Sequence, residues 1–243
     1  MMKCDPVTGA CLLPEQERPT DTTMLAARND LAVRYIGDPM CSWCWGISPV
    51  VREVAAFCEA EGIEFSITVG GLRAGGGDPW TEGFKDFLRS EWRHIAQVTG
   101  QSFGFTLLDA AYFNYDTEPA CRAVETVQLL QARHRLASSI VLSFFTQVQH
   151  KFYVEGGDPK ATDFYAGICS RLGLDFEEFR MAFGSCAAKQ AVEQAFMRCR
   201  QWGVRSFPTL LLERGAERLP LAAGYVPAEQ VLSRLRRELL APR

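Results

Sequence analysis

The feature that most limits how this chain can fold lies between residues 31 and 62. Leu31 to Ile36 (LAVRYI) is a short run of β-branched and aromatic residues, stopped by Gly37-Asp38-Pro39. Its composition and length read as a buried strand. Cys41-Ser42-Trp43-Cys44 follows, and from Pro49 to Gly62 the residues Val50, Val51, Val54, Phe57 and Cys58 fall on one helical stripe, with Gly62 placed to end it. Ile63 to Val69 then alternates apolar and polar residues, as a half-buried strand does. The spacing predicts a β-α-β unit with a cysteine pair where strand hands over to helix.

The remainder changes character twice. The glycine-rich Gly70 to Gly77 reads as a boundary. Beyond it, helical periods cover Thr81–Thr99, Glu118–Arg135, Ser138–Val154, Thr162–Gly173, Asp175–Phe183 and Ala187–Trp202, with no convincing strand between Gly77 and Gly203. Strand signals return at Thr209–Leu212 and Arg218–Ala222, and Pro227 to Leu240 closes as an amphipathic helix. The expectation is an α/β protein whose sheet is assembled from residues 31–77 and 203–243, with an all-helical insertion over 78–202. Residues 1–30, rich in Pro, Thr, Asp and Glu without a sustained period, read as an N-terminal arm.

Charge and hydropathy narrow the function classes. The 26 basic and 29 acidic residues leave a formal charge of -3, which argues against a nucleic-acid binder, since phosphate neutralisation needs a clustered basic excess. No run approaches the roughly 18 apolar residues of a membrane span, and the first residues lack the apolar stretch of an export signal. A cytoplasmic protein without membrane or nucleic-acid partners is expected. The 9 cysteines are an odd number in a chain long enough to build a core without staples, so most should be free buried thiols. Cys58, Cys121, Cys169, Cys186 and Cys199 sit in helical patterns and are read as core.

Cys41 and Cys44 are different. Their spacing places both sulfurs on one face of a first helical turn, within reach of a disulfide. Unpaired N–H groups at a helix start favour a thiolate at the leading position, so Cys41 is the expected nucleophile and Cys44 the resolving thiol. Ser42 is placed to hydrogen-bond near the sulfur, and Trp43 and Trp45 to surround it with aromatic surface. A second element is Gly203-Val204-Arg205-Ser206-Phe207-Pro208-Thr209. A proline at a strand entrance donates nothing to the ladder, and if the bond before it is cis the chain turns sharply and exposes the Phe207 backbone for pairing with an extended substrate.

The β-α(CxxC)-β start and the β-β-α finish preceded by Phe-Pro-Thr resemble a thioredoxin fold, and the helical insertion resembles the DsbA family. Asp38-Pro39-Met40-Cys41-Ser42-Trp43-Cys44-Trp45-Gly46 is similar to its cytoplasmic FrnE-like branch of protein-disulfide isomerases. The resemblance runs from about Leu31 to the end. It implies thiol–disulfide exchange on protein substrates, with Cys41 and Cys44 as the redox pair and Pro208 as the cis-proline. No cofactor beyond the dithiol is implied, with glutathione as a candidate co-substrate and partner. Ser42-Trp43 in place of the Pro-His of the exported oxidases leaves reductase, isomerase and oxidase directions open.

Other readings compete. Kappa-class transferases and hydroxychromene-carboxylate isomerases share the inserted architecture and use glutathione, but generally carry Ser at the first catalytic position. A non-catalytic chaperone would use the aromatic surface alone. A zinc half-site would need Cys4 and Cys11, whose six-residue separation is longer than usual for a knuckle; no metal is expected. Cys4 and Cys11 are read either as an auxiliary redox pair or as incidental thiols.

Overall fold

The computed structural model describes residues 31–240. Four strands form one sheet in the order β2-β1-β3-β4, with β1 at Leu31–Gly37, β2 at Glu64–Val69, β3 at Thr209–Arg214 and β4 at Glu217–Ala223. β1 runs parallel to β2 and antiparallel to β3, and β3 pairs antiparallel with β4. The sheet thus joins the two sequence-distant ends: Tyr35 stands between Ile67 and Leu210.

β1 is buried almost throughout rather than alternately, because both of its faces are covered. On one face Leu31, Val33 and Tyr35 join the main apolar cluster. On the other, Ile36 meets Cys199 and Leu211 in a small separate cluster. The one partly open position, Arg34, spans the neighbouring strands: its guanidinium pairs with Glu64 and reaches Glu213 at 3.5 Å. Such cross-strand pairs hold register.

The CxxC helix is broken in two. The short α1, Ser42–Gly46, ends at Ile47, and α2, Ser48–Glu61, starts afresh with Pro49 in its first turn. Gly62, with φ 66°, ends α2 in the left-handed region where a glycine is favoured. The apolar stripe predicted one helix from Pro49; it covers α2 correctly but says nothing of α1.

The helices between the sheet halves are α3 (Glu82–Thr99), α4 (Glu118–His134), α5 (Ile140–Tyr153), α6 (Ala166–Leu172), α7 (Phe176–Phe183) and α8 (Cys186–Gln201). Thr81, Asp175 and Ser185 cap α3, α7 and α8 by accepting N–H bonds from Phe84, Glu178 and Ala188. The predicted helix over Thr162–Gly173 begins instead as a 3-10 turn, Thr162–Tyr165. The closing helix, α9, is Ala228–Leu240. Val124, Val127, Phe144, Phe145, Phe152 and Phe179 of the helical block share one buried cluster with Val33, Val54 and Leu235 of the sheet half. The block is therefore anchored directly against α1 and β1. Among the described residues no helix is long and apolar enough to cross a membrane.

Candidate active site

Cys41 is the N-cap of α1, in extended backbone, and its N–H donates to Asp38 O at 3.0 Å. Its carbonyl accepts from Trp45 N at 3.1 Å, which starts the helix. Cys44, one turn on, is fully buried, whereas Cys41 keeps 5% of its surface. Both are free thiols. Burial pushes the Cys44 thiol well up, and its neighbour Cys41 raises it further. The Asp38 N–H, 3.5 Å from the Cys44 sulfur, acts the other way.

The peptide bond between Phe207 and Pro208 is cis. It turns the chain so that the Phe207 carbonyl accepts from the Cys41 thiol at 3.9 Å. Residues 166 apart in sequence thus face each other. Pro208 itself is buried, and its carbonyl accepts from Gly224 N at 2.8 Å, which brings Tyr225 to the same rim. Gly70, after β2, lies so close to the Phe207 ring that a Cβ there would stand 2.0 Å from it.

Asp38 is a hub that sequence reasoning treated as a strand stop. It is wholly buried. Its carboxylate accepts from Met40 N at 2.8 Å, Leu72 N at 2.7 Å and the Cys121 thiol at 3.4 Å. Burial raises its pKa, and these donors partly offset the rise. Asp38 therefore ties the cysteine turn to α4 and to the glycine-rich segment. That segment is held at further points, with Arg73 N donating to the Thr117 hydroxyl at 3.1 Å and Gly75 N to Asp116 at 2.8 Å. Tyr115 adds a bond from its hydroxyl to Met40 O at 2.9 Å. Only the Met40 N–H belongs to the turn itself, while the Leu72 and Cys121 donors are distant in sequence, so no short-range signal marked Asp38 as more than a strand stop.

Two expectations about the surroundings need correction. Trp45 forms no aromatic surface: it is 5% exposed, points inward, and its indole N–H donates to Ser102 O at 2.9 Å. The helix turn that exposes one tryptophan buries the other against α3 and α5. Trp43 is the half-buried one, 5.8 Å from the His94 ring and 6.3 Å from Tyr225. No hydrogen bond joins the Ser42 hydroxyl to either sulfur; the groups found there are backbone Asp38 N and the Tyr35 hydroxyl at Cys44, and the Phe207 carbonyl that accepts from the Cys41 thiol. Cys186, read as core, is exposed at the start of α8, while Cys58, Cys121, Cys169 and Cys199 are buried. Cys4 and Cys11 lie outside the described residues.

Two thiols at a strand–helix junction, faced by a cis-proline loop and backed by a four-stranded mixed sheet, define a thioredoxin-fold protein with a dithiol site. No family model matches the chain. It is 33% identical to a "putative protein disulfide isomerase" from Nitrosomonas europaea, with a TM-score of 0.76 over 86% of this chain and 98% of that one. It is 26% identical to the cytosolic disulfide reductase DsbM of Pseudomonas aeruginosa, with a TM-score of 0.67 over 86% of this chain and all of that one, and it also matches that protein's structure with GSH, at 25% identity. The thioredoxin of Alicyclobacillus acidocaldarius subsp. acidocaldarius is 32% identical over 87 residues, 34% of this chain and 83% of that one. The chain belongs to the DsbA-like family of thioredoxin-fold disulfide oxidoreductases and isomerases.

Proposed function

We propose that this enzyme exchanges disulfides with protein substrates through Cys41 and Cys44, with Pro208 and the Phe207 backbone presenting the substrate. The carrying observation is the meeting of the Cys41 sulfur with the Phe207 carbonyl beside the cis-proline. An extended chain laid along that edge would bring its own sulfur to Cys41 while its backbone pairs at Phe207. Cys41 attacks the substrate disulfide and forms a mixed disulfide; Cys44 attacks Cys41 in turn and releases the reduced substrate. Trp43, Tyr225 and the exposed Leu72 offer apolar contact around the entry.

Recycling in this reading uses glutathione, and the enzyme works in the cytosol, as in the FrnE-like branch that the Asp38–Gly46 segment resembles. The likeness to a cytosolic reductase that also has a structure with GSH supports both points. The test is insulin reduction with a glutathione-recycling couple. The parent should reduce insulin, and Cys41→Ser should lose the activity while keeping its fold; an undiminished rate in Cys41→Ser refutes the assignment.

A further inference from the structure

We propose that the Tyr35 hydroxyl is a catalytic hydrogen-bond donor that stabilises the Cys44 thiolate when the mixed disulfide at Cys41 is resolved. The proposal rests on the reading of Cys41 and Cys44 as an exchanging dithiol.

Tyr35 lies near the end of β1, 1% exposed, with its ring edge-on to Phe145 at 5.7 Å. Its hydroxyl has no oxygen or nitrogen partner and meets instead the Cys44 sulfur, a weak acceptor as a neutral thiol. A buried hydroxyl left so is a standing cost that phenylalanine would avoid, so packing alone does not account for it. The ring folds back over Gly37, where a Cβ would stand 2.6 Å from the hydroxyl oxygen. The absence of a side chain there lets the hydroxyl reach past the end of the strand. The next residue, Asp38, sends its N–H to the Cys44 sulfur at 3.5 Å, and the Tyr35 hydroxyl faces the same sulfur.

Two donors therefore converge on Cys44. The other titratable groups around them are Cys41, Asp38, Tyr115 and Tyr153. The Asp38 carboxylate is occupied by Met40, Leu72 and Cys121, and Tyr115 by Met40 O and the Tyr153 hydroxyl. Tyr35 is also a donor rather than a base, because burial drives its own pKa further up. A neutral thiol makes little use of an O–H donor, while a thiolate makes strong use of one. The hydroxyl is thus underused in the dithiol and engaged once charge develops on sulfur, which is preorganised stabilisation of a reacting atom.

The step balances. Cys44 loses its proton to water, and the thiolate attacks the Cys41 sulfur. The bond from Cys41 to the substrate sulfur breaks, and that sulfur leaves with the electron pair and takes a proton from water. Enzyme is oxidised to the Cys41–Cys44 disulfide and substrate reduced to the thiol.

The probe is 5,5′-dithiobis(2-nitrobenzoate), mixed with reduced protein in which Cys4, Cys11 and Cys186 are serine. Attack by Cys41 releases one aromatic thiolate and resolution by Cys44 the second, both read by stopped-flow absorbance across pH. Tyr35→Phe should slow the second release roughly tenfold to a hundredfold at neutral pH and move its midpoint upward by about one unit or more. 3-Fluorotyrosine at position 35, equal in shape and a stronger donor, should move the midpoint down, and it decides the matter if Tyr35→Phe is poorly folded. Superimposed pH profiles for the second release overturn the proposal. Paired release persisting in Cys41→Ser would instead refute the dithiol reading beneath it.

Discussion

Glu125→Gln should stabilise this protein above neutral pH and leave it nearly unchanged in acid. Glu125 lies on α4 between Val124 and Val127, and only 4% of its surface is exposed. Gln128 Nε2 donates to its carboxylate at 3.2 Å, and Arg198 attracts its charge. Neither offsets the lost hydration, so burial raises its pKa from the ordinary 4.5 to about 7. A carboxyl that holds its proton more tightly when folded adds stability below its unfolded pKa, and that contribution is lost as pH rises through the folded value. Between the ordinary 4.5 and about 7 the loss amounts to about 3 kcal/mol. Glutamine keeps the shape and never ionises. Each kcal/mol moves the melting temperature of a chain this long by roughly 2–4 °C. The assay is urea or thermal unfolding of parent and variant at pH 5 and pH 8. The variant should gain its advantage at pH 8, and the difference between the two isolates Glu125 because every other acid, buried Asp38 included, is common to both. Equal losses of stability between the two pH values would refute the reasoning.

Three further outcomes follow from the geometry. Gly70→Ala should cost about 1–3 kcal/mol of stability and slow insulin reduction, because its Cβ drives into the Phe207 ring and shifts the cis-proline loop; full activity would show that the loop is not held from this side. Trp43→Ala should raise KM for protein substrates with little change in melting temperature, while Trp45→Phe, which removes the indole bond to Ser102 O, should lower the melting temperature by an amount worth about 1 kcal/mol. Timed alkylation with mass mapping should label Cys186 well before Cys58, Cys169 and Cys199, whose thiols burial pushes up to about 12, about 12 and about 11; early labelling of the buried three would contradict the packing.

Local chemistry was legible where it acts locally. The apolar run of β1, its stop at Gly37-Asp38-Pro39 and the cysteines beyond it are contiguous, so a short window reveals the junction. The helical block and the returning strands were legible through their periods, apart from the 3-10 start at Thr162–Tyr165; the break at Ile47 lies ahead of the stripe that begins at Pro49, so periodicity says nothing of α1. Partners distant in sequence were not legible. Asp38 is explained by Leu72 and Cys121, and Gly70 by Phe207. The same holds for the two tryptophans, since composition does not say which face of a short helix its neighbours will cover. Cys186 was read from its helical pattern, but the first turn of α8 projects it outward.

The account turns on whether Cys41 and Cys44 interconvert as dithiol and disulfide. The direct measurement is to equilibrate the protein across a range of reduced-to-oxidised glutathione ratios, quench with acid, and map disulfides by mass spectrometry. A Cys41–Cys44 bond should form and open reversibly, following the quotient [GSH]²/[GSSG], because opening it consumes two glutathione thiols and yields one glutathione disulfide, and should be absent in Cys41→Ser and Cys44→Ser. A folded protein in which that bond never forms, or whose disulfide reduction proceeds without it, would contradict the account.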